Sequence, residues 1–441
     1  MGRKPLEIDK IVTNLVMADD VLLKKKLAKK ICDIAYKKGI YPSSIQDYYM
    51  ARGKEEFSGS TVPAINIRSL TYDLARAIFR VGKKNNSKTF IFEIAKSEMG
   101  YTAQPPVEYS AVILAAAIKE NYTGPVFIQG DHFQANLKKY QENPDKEIEA
   151  LQGIITEAIC AGFYNIDIDS STLVDLSKPK VSDQQYLNYQ VCAKLTQFIR
   201  RIEPKGITVS VGGEIGEVGH QNSTPEDLRA FMVGFKQRLR KGLVGISKIS
   251  IQTGTSHGGV VLPDGSIAQV KLDFETLKNI SALARKEFGL AGAVQHGAST
   301  LPEEAFHKFA ECEACEVHLA TQFQNMIFDS KHFPADLKNR IYDWLKVNAA
   351  NEAKPEETQE QFFYKTRKKA LGPFKKEIMS LPQLVRDAIA GQIENKFDFL
   401  FKQLNAVNNA ALVDKYVTLK RVIVRKRQHA AAVPHDGEGA D

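Results

Sequence analysis

Three histidines lie in short glycine-bearing motifs far apart in the chain: Gly130-Asp131-His132, Thr255-Ser256-His257-Gly258-Gly259 and Gln295-His296-Gly297-Ala298-Ser299. Each motif closes a run of apolar and β-branched residues, so each imidazole is expected at the end of a separate strand. Neutral imidazoles converging from three strands can hold one divalent metal and leave a coordination position open for substrate. One histidine at a strand end is more often a hydrogen-bonded rim or core residue. Three of them beside glycines, where backbone and substrate can approach closely, point to a metal-dependent enzyme.

The elements that must bring these residues together can be read from hydrophobic periodicity. Strands are expected at 63–66, 89–95, 126–132, 165–171, 208–216, 248–254, 291–296 and 315–321. Amphipathic helical stretches lie between them, at 73–83, 146–161, 184–202, 225–241, 274–288 and 302–310. Eight strands alternating with helices, with little hairpin chemistry, imply repeated βα units and a parallel sheet. Eight is also the number that closes a barrel, so the predicted class is α/β, a (β/α)8 TIM barrel with helical N- and C-terminal extensions. The histidines, together with Asp169 and Glu214, fall at strand C-termini, where such barrels place their chemistry. An open doubly wound sheet also gathers ligands there, but no G-x-G-x-x-G follows the first strand.

The predicted boundaries are 1–58 for a basic, helical N-terminal extension, 59–328 for the catalytic barrel and 329–428 for a helical C-terminal extension. Residues 429–441 form a tail of disordered composition. The chain has 441 residues, 43% of them hydrophobic, enough for a large core. Its longest nearly apolar run, 111–118, is far short of the ~20 residues that cross a bilayer, and charges occupy the N-terminus. A cytoplasmic protein without membrane contact is expected. The five cysteines, an odd number in a large chain, do not make a secreted disulfide framework, and Cys312-x-x-Cys315 lacks a second pair for a zinc ribbon. The net charge of +8 and the basic run 420–427 come with no nucleic-acid-binding motif, and solvation accounts for them.

Taken as a set, the motifs resemble those of class II, metal-dependent fructose-bisphosphate and tagatose-bisphosphate aldolases. Val62-Pro63-Ala64-Ile65-Asn66 is similar to their opening strand, Gly130-Asp131-His132 to their D-H motif and Gly213-Glu214-Ile215-Gly216 to their E-L-G segment. The motifs around His257 and His296 resemble G-T-x-H-G and H-G-G-S. The resemblance spans about residues 60–325 in the family's order. It implies that His132, His257 and His296 bind a catalytic Zn2+ and that Asp131 exchanges a proton with the C4 oxygen. Glu214 and Asp169 would serve a second or shifted cation, divalent or monovalent. Gly258, Gly297, Ser299 and Thr321 would receive a phosphate. The implied substrate is a phosphorylated ketose cleaved between C3 and C4, the metal stabilising the enediolate of dihydroxyacetone phosphate. The implied assembly is a homo-oligomer, dimer or tetramer.

The sequence also departs from the family. His318 stands where an asparagine usually holds the enediolate, which places it among the substrate-binding candidates. Ala95 with Lys96 replaces a serine, and the loop after Gly216 offers Glu217, His220 and Gln221 in place of a clear catalytic glutamate. Two other functions are open: an epimerase that keeps the metal but not the C–C cleavage, with His318 as the extra base, and a non-catalytic aldolase-type subunit. A Schiff base would need a desolvated lysine. Lys248, opening the sixth strand, is expected at the barrel bottom away from substrate, and Lys96 is expected to contact a phosphate or a surface partner.

Overall fold

All eight expected strands form, and one more precedes them. A computed structural model describes residues 7–216, 221–254, 262, 272–298 and 301–422. The strands are β1 (Ile40–Ser43), β2 (Val62–Asn66), β3 (Ile91–Ala95), β4 (Gly124–Gln134), β5 (Asn165–Asp169), β6 (Ser210–Glu214), β7 (Lys248–Ile251), β8 (Ala293–Gln295) and β9 (Glu316–Leu319). From β2 to β9 every neighbour pairs in parallel, and β9 returns to β2. The result is a closed (β/α)8 barrel, the architecture that the βα alternation predicts.

The extra strand lies in a segment expected to be helical. β1 pairs with the first half of β4, Ile40 opposite Gly124 and Ser43 opposite Phe127, while the second half of β4 pairs with β5. Asn165 joins the two: its side chain donates to Ser43 O and Ile128 O and accepts from Ile45 N. Four residues containing Pro42 carry too little periodicity to be read as a strand, and proline suits a strand bonded on one edge only.

Strand side chains alternate between two environments. Phe92, Ile94, Ile128, Ile166, Val211, Ile249, Val317 and Leu319 face outward into the main core under the helices. Inside the barrel, Val62, Ala64, Ile91, Phe127 and Val294 form a second apolar cluster with Tyr48 and Tyr49 from the helix Gln46–Gly53 and with Val413 and Val417. These strand residues precede the polar ones in their strands, so this cluster plugs the N-terminal end. The opposite end is left for polar residues.

The helices carry their own boundary signals. Pro144–Ala161 is capped by Asn143, which accepts from Lys146 N, and ends at Gly162 in the left-handed region. Phe274–Phe288 starts at the Asp273 cap and ends at left-handed Gly289. The apolar run 111–118 belongs to the helix Pro106–Lys119, which is buried on nearly every side because Glu7–Met17 and Val21–Lys37 pack over it. At the other terminus Gln383–Gln403 packs along Thr71–Lys84. All five cysteines are free. Among the described residues no helix is long and apolar enough to cross a membrane.

Candidate active site

The D-H motif sits on an irregularity that its sequence explains in part. β4 slips register against β5 between Gly130 and Phe133, and His132 adopts a left-handed φ of 41°. Such bulges turn a side chain away from ordinary strand alternation. Phe133 folds back over Gly130, where a Cβ would come 2.5 Å from the ring, so only glycine fits. The bulge delivers both Asp131 and His132 to the C-terminal mouth of the barrel.

There the imidazoles of His132 and His296 face each other, Nε2 to Nδ1 at 2.9 Å. Each is held from behind. Asp169 Oδ2 lies 3.2 Å from His132 Nδ1, and Ser250 Oγ lies 3.2 Å from His296 Nε2. Metal-ligating histidines are oriented in this way, the far ring nitrogen bonded and the near one presented to the ion. Asp131 Oδ1 lies 3.8 Å from His132 Nε2, and donor atoms of Asp131, His132 and His296 all fall within 4.8 Å of one another. Two nitrogens and an oxygen at this spacing fit a borderline divalent ion such as zinc. Burial would lower the pKa of His132, but the carboxylates of Asp131, Asp169 and Glu214 outweigh it and hold the group well above its usual range. Surroundings that favour a proton on this ring equally favour a cation beside it.

The other expected residues take distinct places. Asp169 is engaged behind His132: Gln134 donates to Oδ2 at 2.6 Å, and Ser171 donates to Oδ1 through its amide and hydroxyl. Its pKa falls below the carboxylate range because the His132, Ser171 and Gln134 hydrogen bonds overcome burial. Glu214 is buried, accepts from Gly216 N at 2.6 Å and brings Oε2 to 3.8 Å from His296. Gly297, left-handed at φ 68°, and Thr321, first residue of the helix Thr321–Phe328, follow the neighbouring strands β8 and β9. Lys96 donates to Gln134 O at 3.1 Å. His257, Gly258 and Ser299, with Glu217 and His220, lie outside the described residues.

His318 is more deeply placed than a substrate contact requires. It is buried, its ring centroid 3.9 Å from that of His296, with Nδ1 2.9 Å from Glu93 and 3.3 Å from Asp131, and Nε2 2.7 Å from Glu316. Beneath it runs a polar layer of Glu93, Gln129, Asp167, Lys248 and Glu316, of which sequence analysis singled out Lys248 alone. Lys248 donates to Gln129, Asp167 and Glu316 at 2.8, 2.9 and 2.5 Å. Burial raises Glu93 to a pKa of about 8, with Asp131 and Glu316 adding to the effect and His318 opposing it. The signal was present, since Ile91-Phe92-Glu93-Ile94, Ile166-Asp167-Ile168 and Glu316-Val317-His318-Leu319 alternate polar with apolar residues. It is ambiguous because the same alternation marks a strand with one wet face.

The expected position of Lys248 is corrected by this layer. The lysine is 1% exposed inside the barrel, not at its bottom rim, because β7 enters staggered, Lys248 lying opposite Gly212, the third residue of β6. A Cβ on Gly212 would meet Asp167 Oδ1 at 2.3 Å, so glycine leaves the room that this ion pair occupies. Burial opposes the charge on Lys248, but Asp167 and Glu316 more than offset it, and the amine stays protonated. It is no Schiff-base nucleophile in this state.

A closed parallel barrel with imidazoles and carboxylates gathered at its strand C-termini defines a (β/α)8 protein whose mouth holds donors that could bind a metal ion. Comparison with known proteins supplies the family. The model of the class II fructose-bisphosphate aldolases matches residues 53–388, and the chain belongs to that family, which supports an aldolase-type function. Among solved structures, a fructose-bisphosphate aldolase from Campylobacter jejuni is 19% identical, the match covering 84% of this chain and 97% of that one with a TM-score of 0.51. A probable tagatose 6 phosphate kinase from Sinorhizobium meliloti is 13% identical over 81% of this chain and 99% of that one, TM-score 0.54. At such identities these likenesses speak for the fold.

Proposed function

We propose that the protein is a Zn2+-dependent lyase that cleaves, and in reverse forms, a phosphorylated ketose of the fructose 1,6-bisphosphate type. The observation that carries this proposal is the facing pair His132 Nε2 and His296 Nδ1, 2.9 Å apart and each anchored from behind. With His257 they would hold the ion. When bound, it would supply a Lewis acid for the charge that develops at the C2 oxygen as the C3–C4 bond breaks. Asp131, buried beside both rings, would take the proton of the C4 hydroxyl as the aldehyde leaves and return it during condensation. Gly258, Gly297, Ser299 and Thr321 would hold the phosphate through amides and hydroxyls at the ends of β7, β8 and β9, the side of such barrels that binds phosphate. Glu214 would lie next to the ion, and Asp169 would fix the His132 ring.

The test is a screen of phosphorylated ketoses for triose phosphate release, with metal analysis, on the wild type, His132→Ala and His257→Ala. Each substitution should remove bound Zn2+ and lower turnover by at least ~100-fold. Retention of both metal and turnover in either variant would refute the centre. A product of unchanged carbon number would make the protein an epimerase instead.

A further inference from the structure

We propose that Glu93, Asp131 and His318 form a second divalent-cation site, deeper in the barrel than the facing His132 and His296 rings and, on the reading proposed above, sharing Asp131 with the upper centre. The donors come from three strands, β3, β4 and β9. His318 Nδ1 lies 2.9 Å from Glu93 Oε2 and 3.3 Å from Asp131 Oδ1. Ions of the zinc type sit ~2.0–2.2 Å from nitrogen and oxygen donors, which sets adjacent donors roughly 3.0–3.5 Å apart. The donors therefore already stand at the spacing of one coordination shell, as His132 and His296 do above them.

Two further features distinguish this group from an ordinary acidic cluster. The first is how His318 is held. Glu316 Oε1 lies 2.7 Å from its Nε2, and Glu316 is itself fixed by Lys248 and by the Tyr49 hydroxyl. A carboxylate behind the far nitrogen of an imidazole is the arrangement that orients a ligand, and Asp169 stands behind His132 in the same way. The second is Glu93 Oε1, which is fully buried and accepts no hydrogen bond among the described residues. Buried oxygens are seldom left so, and an ion bound by both oxygens of the Glu93 carboxylate would satisfy it.

Asp167 and Glu316 both reach the Lys248 ammonium, whereas Glu93 and Asp131 meet at His318. The neighbouring group of Asp167, Glu316 and His318 already holds the Lys248 ammonium, which leaves Glu93, Asp131 and His318 as the group for an ion. Two carboxylates and one imidazole suit Mn2+, Fe2+ or Zn2+ better than Mg2+, which prefers oxygen donors and water. An ion there would fix Asp131 as a ligand and couple filling of the lower site to proton exchange at the upper one.

The test counts ions per chain in full-length protein, stripped with chelator and dialysed against excess Zn2+ or Mn2+. The wild type should hold two. Glu93→Gln and His318→Asn, with folding checked by circular dichroism, should hold one, whereas His132→Ala should lose the upper ion and keep the lower. Mn2+-loaded wild type should give the electron paramagnetic resonance signal of a coupled pair, a readout that needs no variant. A single wild-type ion that is lost in His132→Ala but kept in Glu93→Gln and His318→Asn, or two ions that survive both Glu93→Gln and His318→Asn, would overturn the proposal and leave His318 as a protonated bridge between carboxylates. Failure of the upper centre looks different: full turnover in His132→Ala.

Discussion

Asp169 shows how much of this site depends on residues that need not touch the substrate. Its two oxygens accept from Gln134, Ser171 and the His132 ring, so it sets both the tautomer and the tilt of that imidazole. Asp169→Asn keeps the shape but places an amide where an acceptor is required. Metal affinity should fall about 10–100-fold, the usual cost of losing an orienting partner, while the fold stays intact. Competition with a chelator of known affinity measures it, and unchanged affinity would mean that Asp169 only packs. The place of Asp169 at the end of a strand was legible from the sequence. Its position behind the histidine was not, because the register slip at Gly130–Phe133 decides which side of the ring it meets.

At the scale of elements, the N-terminal helices give the clearest case of sequence composition explained by packing. Pro106–Lys119 has almost no polar face, which would be untenable on a barrel surface open to water. Val21–Lys37 covers it with Ala28, Ile31 and Ala35, and Glu7–Met17 adds Leu15 and Val16. Lys24 of the cover pairs with the buried Glu108, which Lys375 of the C-terminal extension also reaches. Ile31, fully buried at this junction, should cost about 2–5 kcal/mol on change to Ala, through lost burial and a residual cavity. Urea unfolding reads that loss, and a change below 1 kcal/mol would show that the two helices bind only loosely. The lysines of Val21–Lys37 marked a solvated face in the sequence. Which barrel helix the apolar face would find could not be told, since any apolar stripe is a chemically adequate partner.

For the molecule as a whole, the barrel interior is graded along its axis: an apolar plug around Tyr48 and Phe127, then the ion layer centred on Lys248, then the imidazoles. The ion layer supports the site above it, since Lys248 holds Glu316 and Glu316 holds His318. Lys248→Met retains the bulk but leaves Asp167 and Glu316 without their counter-charge. Removing one partner of a buried ion pair typically destabilises by about 3–5 kcal/mol, and thermal unfolding of the variant should show a loss of that order. Wild-type stability in Lys248→Met would mean that the carboxylates take up protons at little cost.

The chain alone determined the repeated βα pattern, the count of eight strands and the placement of His132, His296, Asp131, Asp169 and Glu214 at strand ends, because periodicity, glycine and cap signals are local properties. Only the tertiary structure decided that Glu93, Asp167, Lys248 and Glu316 point into the barrel and that His318 lies against Asp131. It also decided that a strand within the N-terminal extension would join the sheet. Alternation says that two faces differ but not which one closes on itself. Stagger between strands distant in sequence sets that choice, through contacts that no segment contains by itself.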